Sequence, residues 1–172
     1  MTARCASRVA TAAVGIFLAA FATGASAGDW LADASVGCRV WNPHPQTNET
    51  VRWSGACSNG FAQGRGAAQW FHNSLPFESD EGEWQNGRQV GFGTQVWPTG
   101  SYEGELLDGE PHGQGVLKVF AGHYDGSFRN GKPNGAGTLT QGGVAYSGTW
   151  RDGCFRDGSR RAAFGVLLSS CP

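Results

Sequence analysis

Tyr102-Glu-Gly104-Glu-Leu-Leu-Asp-Gly109-Glu-Pro-His-Gly113-Gln-Gly115 recurs 22 residues later as Tyr124-Asp-Gly126-Ser-Phe-Arg-Asn-Gly131-Lys-Pro-Asn-Gly135-Ala-Gly137. After another 22, Tyr146-Ser-Gly148-Thr-Trp-Arg-Asp-Gly153 opens a third copy that stops short. Such self-similarity outranks local propensity, because it says that one supersecondary unit is stacked against copies of itself. Two degraded copies lie upstream: Asp80-Glu-Gly82-Glu-Trp-Gln-Asn-Gly87-Arg-Gln-Val-Gly91-Phe-Gly93, with Asp in the aromatic slot, and Trp53-Ser-Gly55-Ala-Cys-Ser-Asn-Gly60-Phe-Ala-Gln-Gly64-Arg-Gly66. Trp53 precedes Asp80 by 27 residues, which places a five-residue insertion near Phe71 to Phe77.

Within each copy the period is two, the signature of a strand with alternating faces. Tyr102, Gly104 and Leu106 share one face, as do Tyr124, Gly126 and Phe128, and Tyr146, Gly148 and Trp150. The slot four residues after the leading one reads Cys57, Trp84, Leu106, Phe128 and Trp150, apolar in every copy. A strand glycine between two large residues leaves a gap into which rings from an adjoining strand can lie. Trp53, Tyr102, Tyr124 and Tyr146 are expected to form a ladder along one face, each stacked pair contributing about 0.5–1.5 kcal/mol. Asn59-Gly60, Asn86-Gly87, Asp108-Gly109, Asn130-Gly131 and Asp152-Gly153 fall at one repeat position and signal hairpins, because both residues tolerate positive φ. The glycines at 64, 91, 113 and 135 then suggest loops longer than two residues.

The pattern aromatic-x-Gly-x4-Gly-x3-Gly-x-Gly resembles the MORN repeat (membrane occupation and recognition nexus), and five in-register copies cover most of the chain after residue 27. The resemblance implies an all-β fold, an elongated, twisted antiparallel sheet of consecutive β-hairpins. It also implies binding to partners or lipids, with no catalysis carried by the repeat. The expected organisation is a leader over 1–27, an N-terminal capping strand and loop over 28–52, repeats over 53–79, 80–101, 102–123, 124–145 and a partial 146–158, and a C-terminal capping strand over 159–172. Val36 to Trp41 alternates as the first capping strand after a short lead, Asn42 to Glu49 is a turn-rich loop, and Ala162 to Ser169 reads as the closing strand.

Arg4 and Arg8, the apolar run from Val9 to Ala22 and Ala25-Ser26-Ala27 read as a secretory signal peptide, too short and Ala-rich for a membrane span. The product is therefore expected in the periplasm or the medium. Cys38, Cys57, Cys154 and Cys171 remain after the leader's Cys5, and an even number in an exported chain suggests two disulfides with three possible connectivities. Each sequential pair brackets one end of the array, so Cys38–Cys57 and Cys154–Cys171 are the expected bridges. Zinc is the rival reading, without CxxC or HxxxH spacing to support it. Paired cysteines and an export signal are unlike the family's cytosolic members, so their lipid and partner preferences do not carry over.

Thirteen Lys and Arg face 14 Asp and Glu, and two of the arginines belong to the leader, so the mature chain is acidic. That disfavours nucleic acid and weakens electrostatic docking on anionic lipid. The 28 glycines follow the hairpin period, and the Gly-x-Gly pairs lack the third glycine and the helix of a nucleotide loop. His44, His72, His112 and His123 have no metal-ligand spacing, and His112 reads as a solvated hairpin-loop residue. No nucleophile motif singles out a Ser. Cofactors and metals are therefore not expected. Glu81, Glu103 and Asp125 occupy equivalent outward slots, with Glu83 and Glu105 two residues further on, an acidic face suited to a basic partner, to Ca²⁺, which wants more converging oxygens than this, or simply solvated. Phe71 and Phe77 mark a candidate contact loop or a bulged corner. These features point to a non-enzymatic exported scaffold that binds a protein, glycan or envelope component. The alternatives are a small glycan-active enzyme using those carboxylates, which would need one of them buried with a raised pKa, and a membrane-surface module.

Overall fold

The computed structural model describes residues 28–172, so the expected leader over 1–27 lies outside the described residues. The chain forms β1 (Asp29–Ala32), β2 (Arg39–Asn42), β3 (Glu49–Trp53), β4 (Ala56–Ser58), β5 (Phe61–His72), β6 (Leu75–Gln85) and β7 (Arg88–Trp97). It continues through β8 (Gly100–Leu107), β9 (Glu110–Val119), β10 (Gly122–Arg129), β11 (Lys132–Gln141), β12 (Val144–Arg151), β13 (Cys154–Asp157) and β14 (Arg160–Ala163). From β5 onward each strand pairs antiparallel with the next, giving the open sheet of consecutive hairpins that the repeat requires. The exception is at the start, where β2 meets β5 in parallel through Arg39 and Phe61, and β3 and β4 also pair with β5.

One row of residues explains the architecture. Gly66, Gly82, Gly93, Gly104, Gly115, Gly126, Gly137 and Gly148 are cross-strand partners in unbroken succession from β5 to β12. Their missing side chains leave a furrow across the sheet, and the leading aromatics fill it. The Tyr102 ring lies over Gly104 and Gly115, and its hydroxyl donates to Glu105 O at 2.7 Å. Tyr124 covers Gly126 and Gly137 in the same way, and Trp53 covers Gly55 and Gly66. At Gly104 and Gly126 the ring comes from the glycine's own strand, two residues back, whereas at Gly148 it is Phe155 of the adjoining strand, as the spacing led one to expect. The expected ladder of leading rings is likewise interleaved: Tyr102 and Tyr124 each meet Phe128 edge-on at 5.3 and 5.1 Å, and Tyr124 meets Trp150 at 5.2 Å. Tyr102, Leu106, Tyr124, Phe128, Leu139 and Trp150 are all buried in this one core.

The hairpin tips form a second row. Asn or Asp followed by Gly adopts positive φ at both positions, for example 55° at Asp108 and 82° at Gly109, so the loops are two residues long. The further glycines expected to lengthen them sit inside strands, where Gly91 has a φ of 66° with open space around it. The register shifts between Gly82 and Glu83, Gly104 and Leu106, and Gly126 and Phe128, so the extra residue is spent as a bulge that bends the hairpin rather than as loop. Successive tips then bond one another: Gly87 N donates to Ala62 O, Gly109 N to Gln89 O, Gly131 N to Pro111 O and Gly153 N to Pro133 O, at 2.8–3.0 Å. His112 belongs to strand β9 and is half-buried, not a loop residue, because the loop ends at Gly109.

The ends are closed differently from expectation. The lead over 28–35 contains β1, paired with β2, and Cys38 precedes β2 rather than lying within a strand. Cys38 and Cys57 flank the start of β5 instead of lying on neighbouring strands, and they are bonded with their Cα atoms 5.8 Å apart. Trp30 packs edge-on against Trp41 and Phe61, both at 5.1 Å, and Arg88 lies 4.0 Å over Trp41. Asp33 is buried beneath this cap, accepting from Trp53 N at 2.7 Å and from Ser35 N and Oγ. At the other end the closing strand covers only Arg160–Ala163. The chain then turns so that Phe164 N donates to Gly153 O and its ring stacks on Tyr124 at 6.3 Å, and Cys154–Cys171 ties the tail down. Both bridges join the sequential pairs.

The insertion at 71–77 is a longer β5–β6 hairpin. Asn73 and Ser74 form its tip at φ 50° and 67°, and a bulge lies between Trp70 and Phe71. Of the two expected readings, the bulged corner is the one adopted.

Candidate functional site

The outward face carries the acidic slots in register. Glu81, Thr94, Glu103, Val116, Asp125 and Thr138 are successive cross-strand partners, so like-positioned carboxylates are two strands, about 9.5 Å, apart. Glu81, Glu83, Glu103, Glu105 and Asp125 are all exposed. Among the described residues none of the five makes an ion pair within 4.0 Å, and only the Glu105 carboxylate has a recorded backbone donor, Gln114 N at 3.0 Å. Arg65 stands opposite Glu83 and, with Ala67, Glu81, Phe92 and Thr94, bounds a shallow trough of about 670 Å³. The glycan-enzyme reading required a buried carboxyl in this row, and the row has none. Phe71 and Phe77 are half-buried, Phe77 lying 6.3 Å from His72, because the longer hairpin packs its own side chains. The apolar residue most exposed at that tip is Leu75, and Phe120, at the β9–β10 turn, stands wholly in solvent.

A second feature lies on the core face, where one repeat departs from the others. In the two units that follow, the leading aromatic pairs across the strands with Leu, Tyr102 with Leu117 and Tyr124 with Leu139. The corresponding pair in the unit starting at residue 80 is Asp80 with Gln95, and Gln89 stands where Pro111 and Pro133 stand next door. With no ring over Gly82 and Gly93, the core is interrupted: one apolar cluster ends at Trp84 and the other begins at Tyr102. Between them is a cavity of about 120 Å³, walled by Trp41, Trp70, Trp84, the 42–49 loop and the tip at Gly109.

Its polar groups are partly satisfied. Trp70 Nε1 donates to Asp80 Oδ2 at 2.7 Å, and Gln95 Nε2 donates to Gln89 Oε1 and Gly109 O at 3.1 and 2.9 Å. Glu49 Oε2 accepts from Asn42 Nδ2 and Gln46 N at 2.8 and 2.9 Å. Burial raises the Glu49 carboxyl, and burial raises Glu78 too. Burial, followed by the Glu78 charge, pushes Asp80 well above the ordinary carboxylate range. Among the described residues, Asp80 Oδ1 and Trp84 Nε1 are buried without a hydrogen-bond partner, as is His72 Nδ1 nearby. Sequence reading passed over this site. The signal was Asp in an aromatic slot, and it became decisive only when the second strands were aligned as well, showing Gln89 and Gln95 in apolar columns of the same unit.

Among the described residues no group of three His, Cys, Asp or Glu side chains could hold a metal ion. No curated protein matches the chain. The MORN repeat family model matches at residues 81–101, 102–118 and 124–142. MORN repeats are generally protein- or membrane-binding modules and typically non-enzymatic. Residues 81–142 of this chain thus match three consecutive MORN repeats, the stretch through which the glycine furrow runs.

Proposed function

We propose that the protein is an exported, non-enzymatic scaffold that presents the outward face of its array to a basic surface on a protein or envelope partner. The observation that carries this reading is the register of Glu81, Glu103 and Asp125 across β6, β8 and β10, exposed and free of ion pairs among the described residues. Carboxylates held at fixed spacing on a stiff sheet supply complementarity and orientation, and they leave the core untouched. Two intramolecular disulfides suit an oxidising compartment, in keeping with the export reading of residues 1–27. The membrane-surface alternative has less support, since the face that faces outward is acidic.

The test is capture from an envelope fraction by the wild-type chain and by Glu81→Lys/Glu103→Lys/Asp125→Lys. Exposed substitutions of this kind shift stability by only about 0.5 kcal/mol, so both proteins remain folded. A partner held by the wild type and lost by the triple variant supports the reading. Equal capture by both removes this face from consideration.

A further inference from the structure

We propose that the cavity between the 42–49 loop and the unit starting at residue 80 binds a small amino alcohol, its ammonium against Glu78 and Asp80 and its hydroxyl oxygen accepting from Trp84 Nε1. This is independent of the outward-face reading, since the cavity opens on the opposite side of the sheet.

The argument starts from cost. Burying a polar side chain without partners is unfavourable, and Trp84, 1% exposed, has its Nε1 unmet, while Asp80, 5% exposed, meets beyond Trp70 only the carboxyl of Glu78. The two repeats that follow show the apolar solution, a tyrosine against a leucine, so the chain has an alternative that it does not use here. Three polar replacements, Asp80, Gln89 and Gln95, converge on one space. Departures from local consistency are expected where a site is being built.

The lining then specifies the ligand. Glu49, Glu78 and Asp80 contribute three carboxyls, and no Lys or Arg lines the space; His44, mostly in solvent, is turned toward Glu110 at 3.8 Å. Burial disfavours the charged carboxyls, and repulsion adds to it at Glu78 from Glu49 and at Asp80 from Glu78, a condition that an inserted cation relieves. Trp41, Trp70 and Trp84 add aromatic walls, which suit an alkylammonium. A bare ammonium has no acceptor and would leave the Trp84 N–H unmet, whereas a neutral polyol would leave the carboxyls uncompensated. One molecule carrying both groups answers both. The volume, about 120 Å³, approaches that of cavities that admit benzene, about 150 Å³, so the ligand is of ethanolamine size. Phosphate in place of the hydroxyl would face three carboxyls and be rejected.

The full chain is titrated with ethanolamine, 3-amino-1,2-propanediol, methylammonium, glycerol and phosphoethanolamine, read by tryptophan fluorescence and thermal shift. Saturable binding of the first two is expected, with each of the others about tenfold or more weaker. Asp80→Tyr/Gln95→Leu copies the Tyr102–Leu117 pair, fills the cavity and should abolish binding. Trp84→Phe keeps an aromatic wall, though a smaller one, removes the N–H, and should weaken ethanolamine far more than methylammonium. No saturation by either amino alcohol at millimolar concentration, equal binding of glycerol, or undiminished binding by either variant overturns the proposal.

Discussion

The phenol ring of Tyr124 lies so close over Gly137, on the neighbouring strand, that a β-carbon at residue 137 would overlap both the ring and its hydroxyl. Gly126, the cross-strand partner of Gly137, is covered by the same ring at a φ of 154°. Gly137→Ala must therefore displace a fully buried tyrosine, and overpacking of this kind costs about 1–3 kcal/mol. Chemical denaturation should show that loss. In a Tyr124→Leu background the same substitution should cost measurably less, because the two residues share one contact and their effects do not add.

The hairpins, the face that buries the rings and both disulfides could be read directly from the chain, since they depend on spacings of two and 22 residues and on the chemistry of Asn-Gly turns. The bulges could not. Gly64 and Gly91 look like loop residues until pairing shows that the loop already closes at Gly60 and Gly87. The course of the tail beyond Ala163 is not legible for a related reason: Phe164 is positioned by Gly153 O and the Tyr124 ring, contacts no local pattern encodes. The outward acidic row was legible because alternation fixes it. The cavity was not, because Asp80 alone looks like decay of a repeat. Only its pairing with Gln95 turns it into a polar site.

Asp33 gives the fold an acid-sensitive joint. Burial works to raise its carboxyl, but hydrogen bonds from Ser35 and from the N–H groups of Trp53, Ser35 and Val36 outweigh it and hold the pKa at about 2, against 3.8 ordinarily. A folded pKa below the unfolded one gives stability that is complete above the unfolded value and lost as pH falls through the folded one. Asp33→Asn should thus cost about 2 kcal/mol at neutral pH, the scale of hydrogen bonds to a charged group. Thermal unfolding curves of the two proteins should converge as pH falls from 3.8 toward 2.

Asp80 and Glu78 have the opposite sign. Burial raises both carboxyls, with the Glu49 charge adding to it at Glu78 and the Glu78 charge at Asp80, so the folded chain holds their protons more tightly than the unfolded chain does. That contribution is complete below the ordinary values of 3.8 and 4.5 and is lost as pH rises through the raised ones. Asp80→Asn retains an acceptor for Trp70 Nε1 and removes the charge. It should equal the wild type at pH below 3.8 and exceed it at neutral pH, with a flatter melting temperature between. A variant less stable at pH 7 than the wild type would show that the carboxylate is compensated in the folded chain.

The two disulfides close similar stretches, 19 residues at the N-terminus and 17 at the C-terminus, so chain entropy alone assigns each roughly 3 kcal/mol. Their surroundings differ. The N-terminal cap is also fastened by Asp33 on Trp53 N, by Trp30 between Trp41 and Phe61, and by Trp41 N on Gly87 O. Beyond Ala163 the tail has Phe164 on Tyr124 and Arg161 Nη2 on Cys171 O at 2.7 Å, with Leu167 and Leu168 exposed. Removing Cys154–Cys171 with paired serines should therefore free the tail locally, and removing Cys38–Cys57 should leave the cap docked. Hydrogen exchange distinguishes the cases: protection at Phe164 N should collapse in the first variant while Gly109 N and Gly131 N stay protected, and Trp41 N and Trp53 N should keep most of their protection in the second. Equal collapse at both ends would mean that the bridges, rather than the packed caps, hold the termini against the array.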